Sequence, residues 1–421
     1  MEEQRIRWVG VDCGEQQHRA VVLDSTGEGV ARFWVVNRRE KIHQWVVELR
    51  TAYPHERLRL VVESRRSVGS VLAQEVVALG LELWTVWPKA LKDYRSLEGQ
   101  PRKDDDRDAY LLARMGWNAV SACRPAVMPR AEEVELCRLT RLHERITREK
   151  TRMLQQLRSC LLELAPEMLA PDWEGPRWQS VRLRRVLRRW PTLEGLERAR
   201  RSTVEAALKG GPQAERTQEV EALRTCARQI RQSAAERAIV ALEMSYLVDQ
   251  IERLAAILWQ LDEKIRSALR HHPLGSKLQE MPGYGPFTAG VEIGEALPLM
   301  RHADEGKVAT YAGLTPLVRQ SGKRGRSHLA RGVNRHLLRA RYMAALGACK
   351  TSTLDRAYYE RKRQDFEGHP KPHVKARIAL ARQRSKVVYK LLTTDVSYDK
   401  EILIRAHFER RQLQEQRAKA A

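Results

Sequence analysis

Ile6-Arg7-Trp8-Val9-Gly10-Val11-Asp12 and Leu58-Arg59-Leu60-Val61-Val62-Glu63 decide the fold. Each is a short apolar run that stops on a carboxylate, and such runs read as buried strands. Between them, Ala20-Val21-Val22-Leu23 turns at Ser25-Thr26-Gly27 and Val30 to Val36 returns, which makes a three-stranded meander. Ile42, Trp45, Val46 and Leu49 are spaced as a helix over Arg39 to Tyr53, closed by Pro54. Beyond Glu63 the pattern predicts a helix from Val68 to Leu79, a strand from Leu81 to Val86 and a helix from Asp105 to Met115. Strands alternating with helices predict a mixed α/β domain over residues 1–128, with an antiparallel start.

Residues 129–272 read as helical. Leu139, Leu142, Ile146, Met153, Leu157, Cys160 and Leu164 recur at three- and four-residue steps, as do Leu247, Ile251, Leu254, Leu258, Leu261 and Ile265. The two runs predict a coiled-coil region, formed either as a hairpin within the chain or between copies of it. Between them lies an insert, 166–212, with five arginines from Arg182 to Arg189. It is either a solvated basic helix or a contact for RNA or a second subunit. Residues 273–408 form a third, mostly α region, and 409–421 a charged tail.

The composition is globular, at 43% hydrophobic residues, but the charge is extreme: 76 Lys+Arg against 53 Asp+Glu, a net +23. Of the 76, 58 are Arg, whose planar fork matches phosphate oxygens. A polyanion, above all nucleic acid, is the partner this implies; an arginine-heavy genome or a heat-adapted surface is the alternative. No run of about 18 apolar residues marks a membrane span, and the first residues lack a secretory pattern. Six scattered cysteines with no Cys-x-x-Cys exclude a zinc ribbon and read as free thiols of a cytoplasmic chain.

Asp12 and Glu63 each follow a strand, so on adjacent parallel strands both emerge at the carboxyl edge where α/β sites form. Asp105 and Asp108 are three apart at a helix start and share one face. Four carboxylates converging on a point repel unless divalent cations lie between them, and hard oxygens suit Mg²⁺ or Mn²⁺. Taken singly, each is equally an ordinary cap or dipole partner.

In the third region, Met281-Pro282-Gly283-Tyr284-Gly285-Pro286 opens an apolar helix, and Gly283 and Gly285 there are candidates to present backbone N–H groups to a phosphate. From Arg319 to Arg341 there are eight Lys/Arg and no acid. Ser321 reads as a residue of a flexible loop beside Lys323, Arg324 and Arg326, and Arg331, Arg335 and Arg339 as one basic helical stripe. On this reading the serine either hydrogen-bonds phosphate or attacks a phosphodiester while the cations absorb charge.

Gly10-Val11-Asp12, Val62-Glu63-Ser64 and Lys103-Asp104-Asp105-Asp106-Arg107-Asp108-Ala109 resemble the three blocks of a RuvC-like, ribonuclease-H-type DEDD domain. The version resembled is that of insertion-sequence-110-type transposases and Piv-type DNA invertases, and Ala312 to Ala344 is similar to their C-terminal transposase domain. The resemblance implies metal ligands at Asp12, Glu63, Asp105 and Asp108, with Asp104 and Asp106 as solvated neighbours. It implies a catalytic serine at Ser321, with Ser327 as the fallback. Ser64-Arg65-Arg66-Ser67 departs from the Gly-aromatic turn usual after that glutamate. The activity implied is DNA strand exchange through a phosphoserine link, by a homo-oligomer (dimer or tetramer) acting on donor and target DNA in the cytoplasm. In the insertion-sequence branch a structured noncoding RNA guides it. A metal-dependent Holliday-junction-type endonuclease, a guide-free invertase and a non-catalytic nucleic-acid-binding protein are the alternatives.

Overall fold

A computed structural model describes residues 5–63, 67–98, 104–321, 324–329, 332–394 and 396–399; at 88, 316–321 and 324–329 it describes the backbone alone. The chain divides into two compact units, Met1–Pro129 and Arg130–Ala421. Among the described residues no helix is long and apolar enough to cross a membrane.

The first unit runs β1 (Ile6–Cys13), β2 (Gln17–Leu23), β3 (Gly29–Val36), α1 (Arg39–Ala52), β4 (Arg57–Val62), α2 (Ser70–Ala78), β5 (Glu82–Val86), α3 (Pro88–Leu97), α4 (Asp105–Asn118) and β6 (Cys123–Pro125). Its sheet has the order β3-β2-β1-β4-β5-β6. The β1–β2–β3 meander is antiparallel, β4 and β5 add parallel to β1, and β6 closes the edge antiparallel. A meander continued by parallel strands is the mixed sheet with an antiparallel start expected from the strand pattern, and the ribonuclease-H-type arrangement that the resemblance implies. Helix α3 and strand β6 are additions to that expectation.

Both faces of the sheet are covered. Val9, Val11, Leu60 and Val62 pack with Ile42, Trp45, Val46 and Leu49 of α1 and with Leu72, Ala73 and Val76 of α2. On the other face Trp8 and Val61 meet Leu111, Leu112 and Met115 of α4, and Val21 and Leu23 meet Ala109 and Ala113. Two-sided burial is why Trp8 to Val11 of β1 and Leu60 to Val62 of β4 read as continuous apolar runs. Each buried Val or Leu side chain contributes about 1.5–3 kcal/mol of transfer free energy. At one point α4 lies nearly on the β1 backbone: a Cβ at Gly10 would stand 1.9 Å from the Ala109 carbonyl oxygen and 2.4 Å from the Ala113 nitrogen.

The second unit contains α5 (Ala131–Leu164), α6 (Val181–Arg189), α7 (Arg201–Ala207), α8 (Gln213–Gln229), α9 (Ala234–His271), α10 (Gly275–Gln279), α11 (Pro286–Val291), a π turn (Glu292–Ala296), α12 (Leu297–Met300) and α13 (Glu305–Tyr311). A two-stranded hairpin follows, β7 (Pro316–Ser321) and β8 (Arg324–Leu329), then α14 (Arg335–Thr351), α15 (Thr353–Asp365) and α16 (Pro372–Thr393). Helices α5 and α9 form an antiparallel hairpin. Leu157 and Leu161 share a core with Leu247 and Ile251, while Leu136, nearer the start of α5, joins Ile265 and Leu269 at the end of α9. Thus the two heptad-like runs pair with each other inside the chain. The α5 seam differs from its expected register at the front, where Leu142 is exposed and Leu136, Cys137, Thr140 and Glu144 are buried. Thr140 and Glu144, polar yet buried, hide the apolar period from sequence reading.

The arginine-rich insert is not a solvated basic helix. Leu183, Val186 and Leu187 of α6 are fully buried, and Arg184, itself buried, donates to Glu252 at 2.6 Å. Arg182 bridges to Glu215 and Glu219, and Arg188 to Asp249. Three of the five arginines therefore hold α6 against α8 and α9.

Candidate active site

Strands β1 and β4 run parallel with Gly10 beside Val61 and Val11 beside Val62. Asp12 and Glu63 are therefore the next pair at the carboxyl edge. Alternation along the pleat places Asp12 on the face of Trp8 and Gly10, and Glu63 on that of Val61. Helix α4 covers that face antiparallel to β1, with Gly116 against Trp8 and Ala113 and Ala109 against Gly10. The next turn toward its N-terminus, which carries Asp108 and Asp105, comes level with Asp12. Cys13 registers the shared field: burial, then the charges of Asp12 and Glu63, push its thiol up to about 12.

Asp12 and Glu63 share the carboxyl edge through the β1–β4 register, while Asp105 and Asp108 belong to the first turn of α4. Among the described residues no three His, Cys, Asp or Glu side chains are grouped as a metal site. Asp108 is buried and its Oδ1 accepts from Arg95 Nε at 2.9 Å and Nη2 at 2.6 Å. Asp105 is exposed at the first position of α4, and Asp104 is its N-cap, accepting from the Asp106 amide at 3.2 Å. Asp106 is not the solvated neighbour expected: it accepts from Arg19 Nε at 2.6 Å and pairs with Arg32. Arg19 lies opposite Asp12 in the β1–β2 register, so its charge belongs to the same edge. The donor set is hard oxygen throughout and fits a divalent cation of the Mg²⁺ or Mn²⁺ kind, with Asp12, Glu63, Asp105 and Asp108 as the residues that would hold it. One of those carboxylates, Asp108, is paired with Arg95.

In the second unit, Ser321 ends β7 and is paired with Arg324, the first residue of β8; Arg319 pairs with Arg326, and Val318 with Ser327. The serine thus closes a strand at a hairpin tip, where the sequence predicted a flexible loop. Arginines replace the apolar face that makes a strand legible, and no period-2 signal survives. Lys323 and Arg331 lie outside the described residues. Helix α14 starts at Arg335 behind the Asn334 cap, so the expected stripe is reduced on the helix to Arg335 and Arg339, and Arg339 donates to Glu144 at 3.2 Å.

The glycine turn has a packing role. Gly283 has φ +81°, and a Cβ there would stand 2.2 Å from the Ala344 carbonyl oxygen, so the turn rests on the α14 backbone. The Gly285 amide donates to Thr288 Oγ1 at 2.9 Å. Beneath it lies a network that sequence reasoning missed. Glu292, fully buried, accepts from Arg341 Nε at 2.8 Å and Nη2 at 2.9 Å and from the Tyr284 hydroxyl at 3.1 Å. Burial, with Glu292 adding to it, raises the Tyr284 phenol well above its ordinary range. Glu295 pairs with Arg141, and Glu144 with His336 and Arg148. The available signal was two glutamates inside the apolar stretch Val291 to Met300.

Two family models match this chain. One, described as a transposase of the DEDD IS110 type, matches residues 9–166; the other, the transposase IS116/IS110/IS902 family, matches residues 275–360. Together they cover more than half of the sequence, in the order of the two blocks resembled. The chain belongs to the IS110/IS116 family of transposases. It is similar to the 44.8 kDa protein of insertion element IS116 from Streptomyces clavuligerus, at 27% identity over 91% of this chain and 94% of that one. It is also similar to the 43.6 kDa protein of IS110 from Streptomyces coelicolor, at 25% identity over 93% and 95%. The 42 kDa protein of IS900 from Mycobacterium paratuberculosis matches at 25% identity over 93% and 96%. A solved structure, T. thermophilus RuvC in complex with Holliday junction substrate, aligns at 16% identity over 29% of this chain and all of that one. The TM-score of that alignment is 0.24. This transposase is a DNA-cleaving, DNA-recombining enzyme, and DEDD enzymes of its type work with divalent metal ions.

Proposed function

We propose that this transposase exchanges DNA strands through Ser321 as nucleophile. Asp12, Glu63, Asp105 and Asp108 form its divalent-metal site, and a structured noncoding RNA selects donor and target DNA. The observation that carries the reading is the place of Ser321. It stands at the tip of a hairpin that also bears Arg319, Arg324 and Arg326, within the stretch matched by the second family model.

In the first step Ser321 Oγ attacks the scissile phosphorus. The P–Oγ bond forms, the bond to the departing strand breaks, and that strand leaves with a proton as a hydroxyl end. A second hydroxyl end then attacks the phosphoserine, makes a new phosphodiester and returns the serine. Phosphodiester bonds are conserved, so no external energy source is needed. Arg324 and Arg326 offset the charge that builds on phosphorus. At the other site Asp12, Glu63, Asp105 and Asp108 would hold a divalent ion, whose chemistry when bound would be Lewis acidity. Base pairing with the RNA reads sequence while the arginines read backbone, which accounts for the net +23. A homo-oligomer, dimer or tetramer, working on the nucleoid in the cytoplasm, completes the reading.

The test is to purify the protein from cells carrying its flanking DNA, sequence the RNA that co-purifies, and assay the native, Ser321→Ala and Asp12→Asn proteins. One dominant structured transcript, with strand exchange lost in Ser321→Ala, supports the proposal. Scattered RNA with exchange intact in the native protein favours a guide-free invertase. Metal-dependent cleavage that survives Ser321→Ala favours a junction endonuclease.

A further inference from the structure

We propose that Glu295 and Asn334 are positioning residues that fix the root of the hairpin bearing Ser321; this rests on the reading of Ser321 as the nucleophile. The chain leaves α13 at Tyr311 and re-enters a helix behind Asn334, and these two feet of the hairpin are tied to each other. The Asn334 amide donates to the Tyr311 carbonyl at 2.8 Å, and Gly313, at φ +73°, packs its backbone against Val333. The Asn334 side chain makes three further bonds. Its Oδ1 accepts from the Leu337 amide at 3.1 Å and caps α14, and its Nδ2 donates to the Tyr311 hydroxyl at 3.0 Å and to Glu295 Oε2 at 2.8 Å.

Glu295 is the anchor. Its side chain has no solvent exposure, it accepts from Arg141 Nη2 at 3.0 Å, and Cys137 Sγ donates to it at 3.2 Å. Arg141 and Cys137 both belong to α5. Glu295 and Glu292 share the π turn; Glu292 holds α14 through Arg341, and Glu295 holds α5 and the hairpin feet. π turns recur at functional sites because they re-aim side chains that a regular helix would stack. The hairpin itself contributes few apolar side chains, only Leu317, Val318 and Leu329 beside Pro316. Its orientation is therefore set at its root, and a displacement of about 1 Å at a reacting group costs on the order of 100-fold in rate.

The test uses the full-length protein with its DNA. Asn334→Asp keeps the cap on α14 but turns the Nδ2 donor into a carboxylate facing Glu295. The rate of covalent protein–DNA adduct formation in a single turnover is expected to fall at least about tenfold, with DNA affinity unchanged. Adding Glu295→Gln is expected to restore most of that rate, because the new amide can donate to the aspartate. If Asn334→Asp fails to fold, Tyr311→Phe carries the test: one oxygen is lost, and the adduct rate is expected to fall several-fold at an unchanged thermal midpoint. Adduct rates at the native level in Tyr311→Phe and Asn334→Asp overturn the proposal. So does a loss of rate that tracks the thermal midpoint and is not rescued by Glu295→Gln, which marks a purely structural role. Adduct formation by Ser321→Ala instead removes the nucleophile reading beneath it, whatever the Asn334 variants do.

Discussion

Gly10→Ala adds one methyl group at the place where α4 crosses β1. The new Cβ would stand 1.9 Å from the Ala109 carbonyl oxygen, whereas real Cβ contacts stay beyond 3.0 Å, so the helix must retreat by about 1.1 Å. The Ala113 nitrogen, 2.4 Å away, blocks a small tilt as the remedy. Both obstacles are backbone, so no side chain can rotate aside. Overpacking of this kind costs about 1–3 kcal/mol. With an m value of about 2 kcal/mol/M in urea, the midpoint for the first unit falls by roughly 0.5–1.5 M. The same retreat carries the first turn of α4, with Asp105 and Asp108, away from Asp12. Metal-dependent DNA cleavage is then expected to fall by about 100-fold, further than stability alone explains at low urea. Hydrogen exchange of the β1 and α4 amides against urea reads the first effect, and cleavage of a DNA substrate at saturating Mn²⁺ reads the second. A Gly10→Ala protein with native stability and native cleavage would refute the placement of α4 on β1.

Two further perturbations bear on the same unit. Arg95→Gln leaves the buried Asp108 without its cation and is expected to cost about 3 kcal/mol in the presence of a chelator. Mn²⁺ should restore more stability to this variant than to the native protein, and equal metal-induced shifts in thermal midpoint would count against Asp108 as a ligand. His18 is fully buried, and burial pushes its imidazole below its ordinary value, with Asn37 offsetting part of that. The unfolded chain then binds a proton that the folded chain refuses. The stability contribution is complete above the unfolded value of about 6.5 and is lost as pH falls from there to the lower folded value, with a slope of up to about 1.4 kcal/mol per pH unit. His18→Leu should flatten the urea midpoint below about pH 6.5; an unchanged slope there would assign it to other groups.

Strands β1 and β4 were legible because Val9, Val11, Leu60, Val61 and Val62 are buried in apolar runs, and the carboxylate at the end of each marks its carboxyl edge. Asp105 and Asp108 were legible as the first turn of a capped helix. Their partners were not. Arg95 reaches Asp108 from a different helix, and Arg19 and Arg32 reach Asp106 from strands more than 70 residues earlier. No local pattern encodes such pairs, so Asp106 read as solvated. Strand β6 is three residues long and carries no alternation, and β7 and β8 replace it with arginines. The insert around α6 misled for a related reason. A helix with five arginines reads as basic surface until Glu219, Asp249 and Glu252, contributed by α8 and α9, are seen to neutralise it. Glu295 and Asn334 meet across 39 positions, and only the folded chain brings them together.

The most direct measurement is to trap the protein on DNA carrying both element ends, digest the complex, and locate the nucleotide-bearing peptide by mass spectrometry. The account predicts one covalent link, at Ser321, absent from Ser321→Ala and accompanied by loss of strand exchange. A link at another residue, or strand exchange by Ser321→Ala at the native rate, would contradict it.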